Sequence, residues 1–247
     1  MNTGSGFVNV ANGAVPNVAG ATYSGATTNS LTVTGTTTAM SSYQYRLQIS
    51  NATCTTPVNS TTVNLTVRQL PTVTLTAAPL TTLLPGQITT LTATPSSSTG
   101  GTLTYQWLLN GTAIANTGNT RVVTVEQLGT YKVTIQETFA GGLTCANQSG
   151  DVVIGTTASD KLFLYPNPNS GQFTVSYYNN GGNSSSRRIV IFDSKGSKVY
   201  EKVFNITGPY TLLNIDLRGK GAGIYQVAVG DANGSKLKTG KVFVRNK

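Results

Sequence analysis

No histidine occurs in the 247 residues, so this chain can build neither a histidine-assisted nucleophile nor a histidine metal site. Its two cysteines, Cys54 and Cys145, are too few for structural zinc, and neither opens a C-x-x-C pair. Charged residues make up only 10%, which is low for a cytosolic enzyme and usual for secreted β-sandwich proteins. The eight carboxylates are scattered and no two flank an evident cleft, so glycosidase chemistry has little support. No apolar run approaches the roughly 18 residues of a membrane-spanning helix. The opening stretch, MNTGSGFVNV, lacks a basic n-region and an apolar h-region. No signal peptide is expected there, and an exported protein with this sequence is expected to have lost its own start. Arg187-Arg188 and the stretches KGSK and RGKGAG make neither a phosphate loop nor an aromatic-interleaved nucleic-acid surface. The expectation is an all-β chain without cofactor, metal, nucleic-acid partner or enzymatic activity.

What the sequence does hold is strands. Short runs of alternating Thr, Val, Leu and Ile recur, among them NSLTVTG (29–35), TTLTATP (89–95) and YKVTIQE (131–137). Gly, Pro, Asn and Ser break them every 8–12 residues or so, the rhythm of a sandwich or barrel. Residues 69–155 supply a whole immunoglobulin-like set: 72–77, 87–95, 103–111, 120–129, 131–137 and the strands beyond. Trp107 lies in the third strand, and Gly129-Thr-Tyr131 resembles a tyrosine corner. Leu91 and Val133 stand where that fold's disulfide would be, so apolar packing should join the sheets. SSYQYRLQIS (41–50) looks like a repeat of LGTYKVTIQE (128–137), with Tyr45 matching Tyr131 and Cys54 matching Cys145. Residues 1–68 therefore read as a partial immunoglobulin-like module with an uncovered edge and a partly open core. Cysteines on matching hairpins of successive repeats should lie far apart and stay unpaired with each other.

Charge then separates the chain. Residues 1–160 hold four basic and four acidic residues; residues 161–247 hold thirteen and four, so the whole net charge of +9 sits in the last third. Such asymmetry points to an acidic partner or to a solubility device for exposed edges. The last third restarts after LYPNPNSGQF (164–173), whose prolines cannot donate to a sheet. Seven strand-like runs follow from 161, with hairpin turns at Asp193–Gly196 and Asp231–Gly234. In the last strand a bulge at Thr239-Gly240 would bring Lys236, Lys238, Lys241 and Arg245 to one solvent face and leave Val242 and Val244 inside.

Three separated motifs in this last third resemble the C-terminal sorting domain of type IX secretion substrates. They are Tyr165-Pro166-Asn167-Pro168 with Gly171; Phe192-Asp193 with Gly196 and Val199; and Leu217 followed by Gly223, Tyr225, Lys241 and Val242. The resemblance implies a seven-stranded immunoglobulin-like sandwich over 162–247 that serves as a secretion address. It implies a translocon, an outer-membrane β-barrel shuttle, a sortase that removes the domain, and anionic lipopolysaccharide as one destination. Localisation would be across the outer membrane, at the cell surface or outside the cell. The linker at 156–161 makes Gly155, Thr156, Thr157, Ala158, Ser159, Asp160 and Lys161 the cleavage region. Lys236, Lys238, Arg245 and Lys247 become candidate shuttle contacts, on an edge strand with unpaired backbone.

The upstream modules would be a stalk. The alternative is an adhesin or carbohydrate-binding module with its surface in 1–155, which an exposed aromatic cluster in loops 96–102, 111–119 or 138–147 would favour. Those loops hold Phe139 as their one aromatic. Trp107 reads as core rather than as a sugar platform. Asp151 and Asp160 read as turn residues rather than calcium ligands.

Overall fold

The computed structural model describes residues 1–51, 53, 56–96, 100–115, 118–179 and 185–245. Cys54 and Lys247 lie outside the described residues. One compact unit is built on Met1–Pro71 and a second on Thr72–Ser96 with Thr102–Lys247.

The first unit has very short strands: β1 (Gly13–Ala14), β2 (Thr22–Ser24), β3 (Thr32–Thr34), β4 (Gln44–Tyr45), β5 (Gln48–Ile49), β6 (Val58–Asn59) and β7 (Val63–Asn64). β1-β2-β3 form one small sheet, while β4 pairs β7 and β5 pairs β6. Val15, Val18, Ala21, Tyr23 and Met40 make its small core. Ile49, Val58 and Val63 remain 60% or more exposed. The equivalence of Tyr45 and Tyr131 does not hold in the hydrogen bonds. Tyr131 Oη donates to Gln127 O at 2.5 Å, a true tyrosine corner, whereas Tyr45 Oη bonds the Tyr23 hydroxyl at 2.9 Å.

The second unit begins with a two-sheet sandwich. Its strands are β8 (Thr72–Ala78), β9 (Ile88–Ser96), β10 (Thr102–Leu109), β11 (Thr112–Ile114), β12 (Thr120–Thr124), β13 (Gly129–Thr138), β14 (Thr144–Gln148) and β15 (Val152–Ile154). One sheet runs β12-β9-β8; the other runs β11-β10-β13-β14, with β15 also on β13. Alternation puts Leu91, Ala93, Val123, Val133 and Ile135 inward around Trp107, all fully buried. Trp107 Nε1 donates to Gly118 O at 2.8 Å, which satisfies the one polar atom of that side chain. Leu91 and Val133 pack as the apolar substitute for a disulfide. Cys145 carries a free thiol.

The second sandwich of this unit has β16 (Leu162–Tyr165), β17 (Gln172–Tyr177), β18 (Ser185–Phe192), β19 (Lys198–Ile206), β20 (Leu213–Asp216), β21 (Gly223–Gly230) and β22 (Lys236–Val244). These seven strands form sheets β16-β17-β20 and β19-β18-β21-β22. Their inner faces enclose Phe173, Val175, Ile189, Ile191, Val227, Val229, Val242 and Val244. Two aspartates build the hairpins as the sequence predicts. Asp193 Oδ1 accepts from the N–H of Lys195 and Ser197, and Asp231 Oδ1 from that of Ser235.

The two sandwiches share apolar packing. Tyr210 is 2% exposed and belongs to the cluster that holds Leu83, Trp107 and Ile154, with Phe163, Tyr178 and Leu212 packed around it. The Phe163 and Tyr210 rings meet edge to face at 5.8 Å.

Candidate functional site

The bulge of β22 is not at Thr239-Gly240. Thr239 pairs with Ala228 and Gly240 with Val227 without interruption; the register shifts where Val229 opposes Lys238 and Gly230 opposes Lys236. The extra residue is therefore Leu237. This inverts the parity expected for Lys238, which shares the inner side of the strand with Gly240, Val242 and Val244. It lies at the end of the sandwich, where its Nζ donates to Asp160 O at 2.7 Å. Lys236, Lys241 and Arg245 are exposed, while Lys238 is half-buried. The four cations do not share a face. Gly240 is inward because β16 lies over it: a Cβ there would stand 2.7 Å from Leu164 Cδ1.

Nor is the outer edge of β22 unpaired. The Pro-Asn-Pro-Asn loop lies against it and acts as a short extra strand. Asn167 does this with its side chain, the amide Nδ2 donating to Lys241 O at 3.1 Å and Oδ1 accepting from Phe243 N at 2.9 Å. Asn169 does it with its backbone: its N–H donates to Phe243 O and its carbonyl accepts from Arg245 N, at 2.9 and 2.8 Å. Both prolines lack the N–H that such pairing would otherwise leave pointing outward. The loop is fixed in turn by the buried Asn169 side chain, which donates to Pro166 O and accepts from Gly171 N. The pattern Asn169-Ser-Gly171 is an Asx-turn signal, which could have marked Asn169 from sequence alone.

Gly171 is needed for two reasons. Its φ is +102°, and a Cβ would lie 3.0 Å from Arg218 N and 3.1 Å from Arg218 Cα, backbone that cannot step aside. Its carbonyl accepts from Leu217 N at 2.6 Å, which joins the first motif to the third. Gly171→Ala is expected to cost about 1–3 kcal/mol through strain alone. The melting transition of this sandwich should fall by about 4–8 °C per kcal/mol. An unchanged transition in calorimetry would contradict this role.

The other motif residues are structural too. Tyr225 is buried opposite Val242, and its hydroxyl donates to Lys220 O at 2.6 Å, with Gly221 O at 2.9 Å. Val199 packs on the core behind the Asp193–Gly196 turn. Gly223 starts β21 opposite Val244. The first and third motifs, far apart in sequence, thus converge on the seating of β22, while the second forms the β18–β19 turn.

The segment 155–161 crosses from one sandwich to the other. Thr157, Ala158, Asp160 and Lys161 are exposed; Gly155, Thr156 and Ser159 are half-buried. Thr156 Oγ1 donates to Leu83 O at 2.6 Å, and Tyr210 Oη to Thr157 O at 3.0 Å. Asp151 pairs with Lys132 at 3.1 Å on the surface of the preceding sandwich. Among the described residues no cluster of three or more Cys, Asp or Glu could hold a metal ion.

Residues 163–245 match the family model described as the secretion system C-terminal sorting domain. This domain marks proteins exported by type IX secretion to the cell surface or extracellular space, and the chain is such an exported protein. No curated protein matches the chain. Among solved structures it is similar to three N-terminal domains of the outer capsid protein Hoc of bacteriophage RB49. That match has 20% identity and a TM-score of 0.31, and it covers 71% of this chain and 59% of that one. The chain is similar also to fibronectin(III)-like modules of Clostridium thermocellum CbhA, at 15% identity and TM-score 0.26, over 71% of this chain and 94% of that one. A third likeness is to BcpA, the major pilin subunit of Bacillus cereus, at 13% identity and TM-score 0.25, over 81% and 74%. At these values the likenesses carry nothing about function.

Proposed function

From the sorting domain at residues 163–245, we propose that residues 162–247 are the export address of a surface or released protein. The modules at 1–68 and 69–155 are its stalk. The observation that carries this reading is that residues of the first and third family motifs meet in one structural closure, the pairing of Asn167 and Asn169 with the edge of β22, while the second motif builds the β18–β19 hairpin of the same sandwich. The partners are the shuttle barrel and translocon of the type IX apparatus during export, then a sortase, with anionic lipopolysaccharide as one final attachment. The chain works as an address and spacer, not as an enzyme. Against a carbohydrate-binding stalk weighs the burial of Trp107 and Phe139, which removes both as stacking platforms.

The sortase is proposed to cut within about residues 154–162. There Thr157, Ala158, Asp160 and Lys161 are exposed residues between two compact sandwiches. The full chain behind an export leader should reach the surface or medium of a type IX–competent host and stay in the periplasm of a strain without the apparatus. Mass spectrometry of the exported product should place its new terminus in that segment. A terminus inside 165–240, or equal export from both strains, would refute the reading.

A further inference from the structure

The two outward faces of the sorting sandwich differ in kind. On β16-β17-β20 the outward polar residues satisfy one another: Thr174 bonds Asn214 at 3.0 Å and Gln172 bonds Asp216 at 3.2 Å. Arg218 pairs with Asp216 at 2.6 Å and holds its carboxyl down at about 2, so this face keeps no free charge there. Phe163, at its start, is already covered by the preceding sandwich.

The outward face of β19-β18-β21-β22 is cationic around an apolar centre. The register puts Val190 beside Ala228 and Phe192 beside Gln226; all but Gln226 are half-buried, and none belongs to a core cluster of the described residues. Gly230 lies opposite Arg188 and leaves a shallow concavity of about 340 Å³, with Val190, Phe192 and Ala228 along it and Arg188 and Lys236 among its walls. Ile224 (56%) and Phe243 (41%) extend the apolar surface toward the chain end. Around it stand Arg188, Lys198, Lys236, Lys241 and Arg245. Among the described residues the face has a single carboxylate, Glu201, already bonded to Arg188 at 3.0 Å and Lys198 at 2.6 Å. Among the described residues no carboxylate is within ion-pair distance of Lys236, Lys241 or Arg245.

We propose that this sheet face is a docking surface for an acidic protein partner that brings an apolar ridge to the Val190–Phe192–Ala228 centre. The inference rests on the export reading above and adds to it where, and by what chemistry, capture occurs. Capture by strand addition is unavailable along 241–245, because Asn167 and Asn169 occupy that edge. An apolar centre inside a charged rim is the anatomy of a protein interface. A purely anionic saccharide or lipid surface would use the rim and leave the centre unmatched. The unpaired rim cations would act on association rate and on choice of partner.

The test uses the full chain behind an export leader in a type IX–competent host. The double variant Lys236→Glu/Lys241→Glu is compared with Lys195→Glu/Lys220→Glu, which changes net charge equally from exposed turn positions off this face. Both should melt like the wild type, since exposed substitutions of this kind leave stability almost unchanged. The face variant should show a drop of about tenfold or more in export, the scale that electrostatic steering supplies, and the turn variant wild-type export. Equal export of the two variants, whether both high or both low, overturns the proposal. Binding of purified wild-type chain to phosphatidylglycerol vesicles, lost in the face variant, would assign the face to a lipid surface and also overturn it. Failure of the wild type itself to leave the periplasm would remove the export reading beneath it, a distinct result.

Discussion

Cut short before Lys236 and supplied with an export leader, the chain should accumulate in the periplasm of a host that exports the intact form. Three losses coincide in this truncation. Val242 and Val244, 1% and 4% exposed, leave the core, each forfeiting burial worth about 1.5–3 kcal/mol. Leu162 and Leu164 lose the strand they cover at Gly240. Asn167 and Asn169 lose every partner they have on β22. What remains has an open β21 edge and a hydrophobic face ready for non-native pairing. The companion variant Asn167→Ala/Asn169→Ala keeps the strand and the Asn169 backbone bonds, and removes the Asn167 side-chain bonds to β22 and the Asn169 side-chain bonds that fix the loop, so export should fall less and the fold should persist. Fractionation with an immunoblot reads both. Undiminished export of the truncated chain would mean that β22 is no part of the address.

The second large effect belongs to the preceding sandwich. Trp107→Ala empties the centre of a core where Leu91, Tyr131 and Val133 are all fully buried, and it strands Gly118 O without its donor. A loss of about 3–5 kcal/mol is expected. That is a large fraction of the total of about 5–15 kcal/mol that holds a typical domain. The calorimetric transition of this sandwich should move down by about 15 °C or more. The sorting sandwich has a separate core around Phe173, Ile191 and Val227, so its own transition should persist, weakened only through the Tyr210 contact. A shift of a degree or two would mean that Trp107 is not the keystone its burial implies.

Local patterns carried much of this into the sequence. Period-2 runs marked the strands of both sandwiches, and aspartate with glycine marked both hairpins. Trp107 and Tyr131 marked an immunoglobulin-like core without its disulfide. The errors lie where tertiary contact decides. Alternation shows that β22 needs an extra residue but not where, and the insertion came at Leu237, ahead of the Gly240 that β16 requires. Lys238 then turned to the Asp160 carbonyl, a partner 78 residues away that no local pattern announces. Asn167 reads as a turn residue in the sequence, yet its amide substitutes for a strand backbone against Lys241 and Phe243. Tyr45 had the right neighbours for a corner, yet its hydroxyl bonds that of Tyr23 instead. The aromatic junction of Phe163, Tyr178 and Tyr210 was hidden because each ring sits in a run that looks like ordinary strand.

If residues 161–247 alone are a sufficient address, joining them behind a leader and a reporter that is otherwise retained in the periplasm should export the reporter. In a type IX–competent host the reporter should appear on the surface or in the medium, and it should remain periplasmic when the apparatus is absent. A reporter that stays in the periplasm of the competent host, with the sorting sandwich shown to be folded by its calorimetric transition, would contradict that sufficiency.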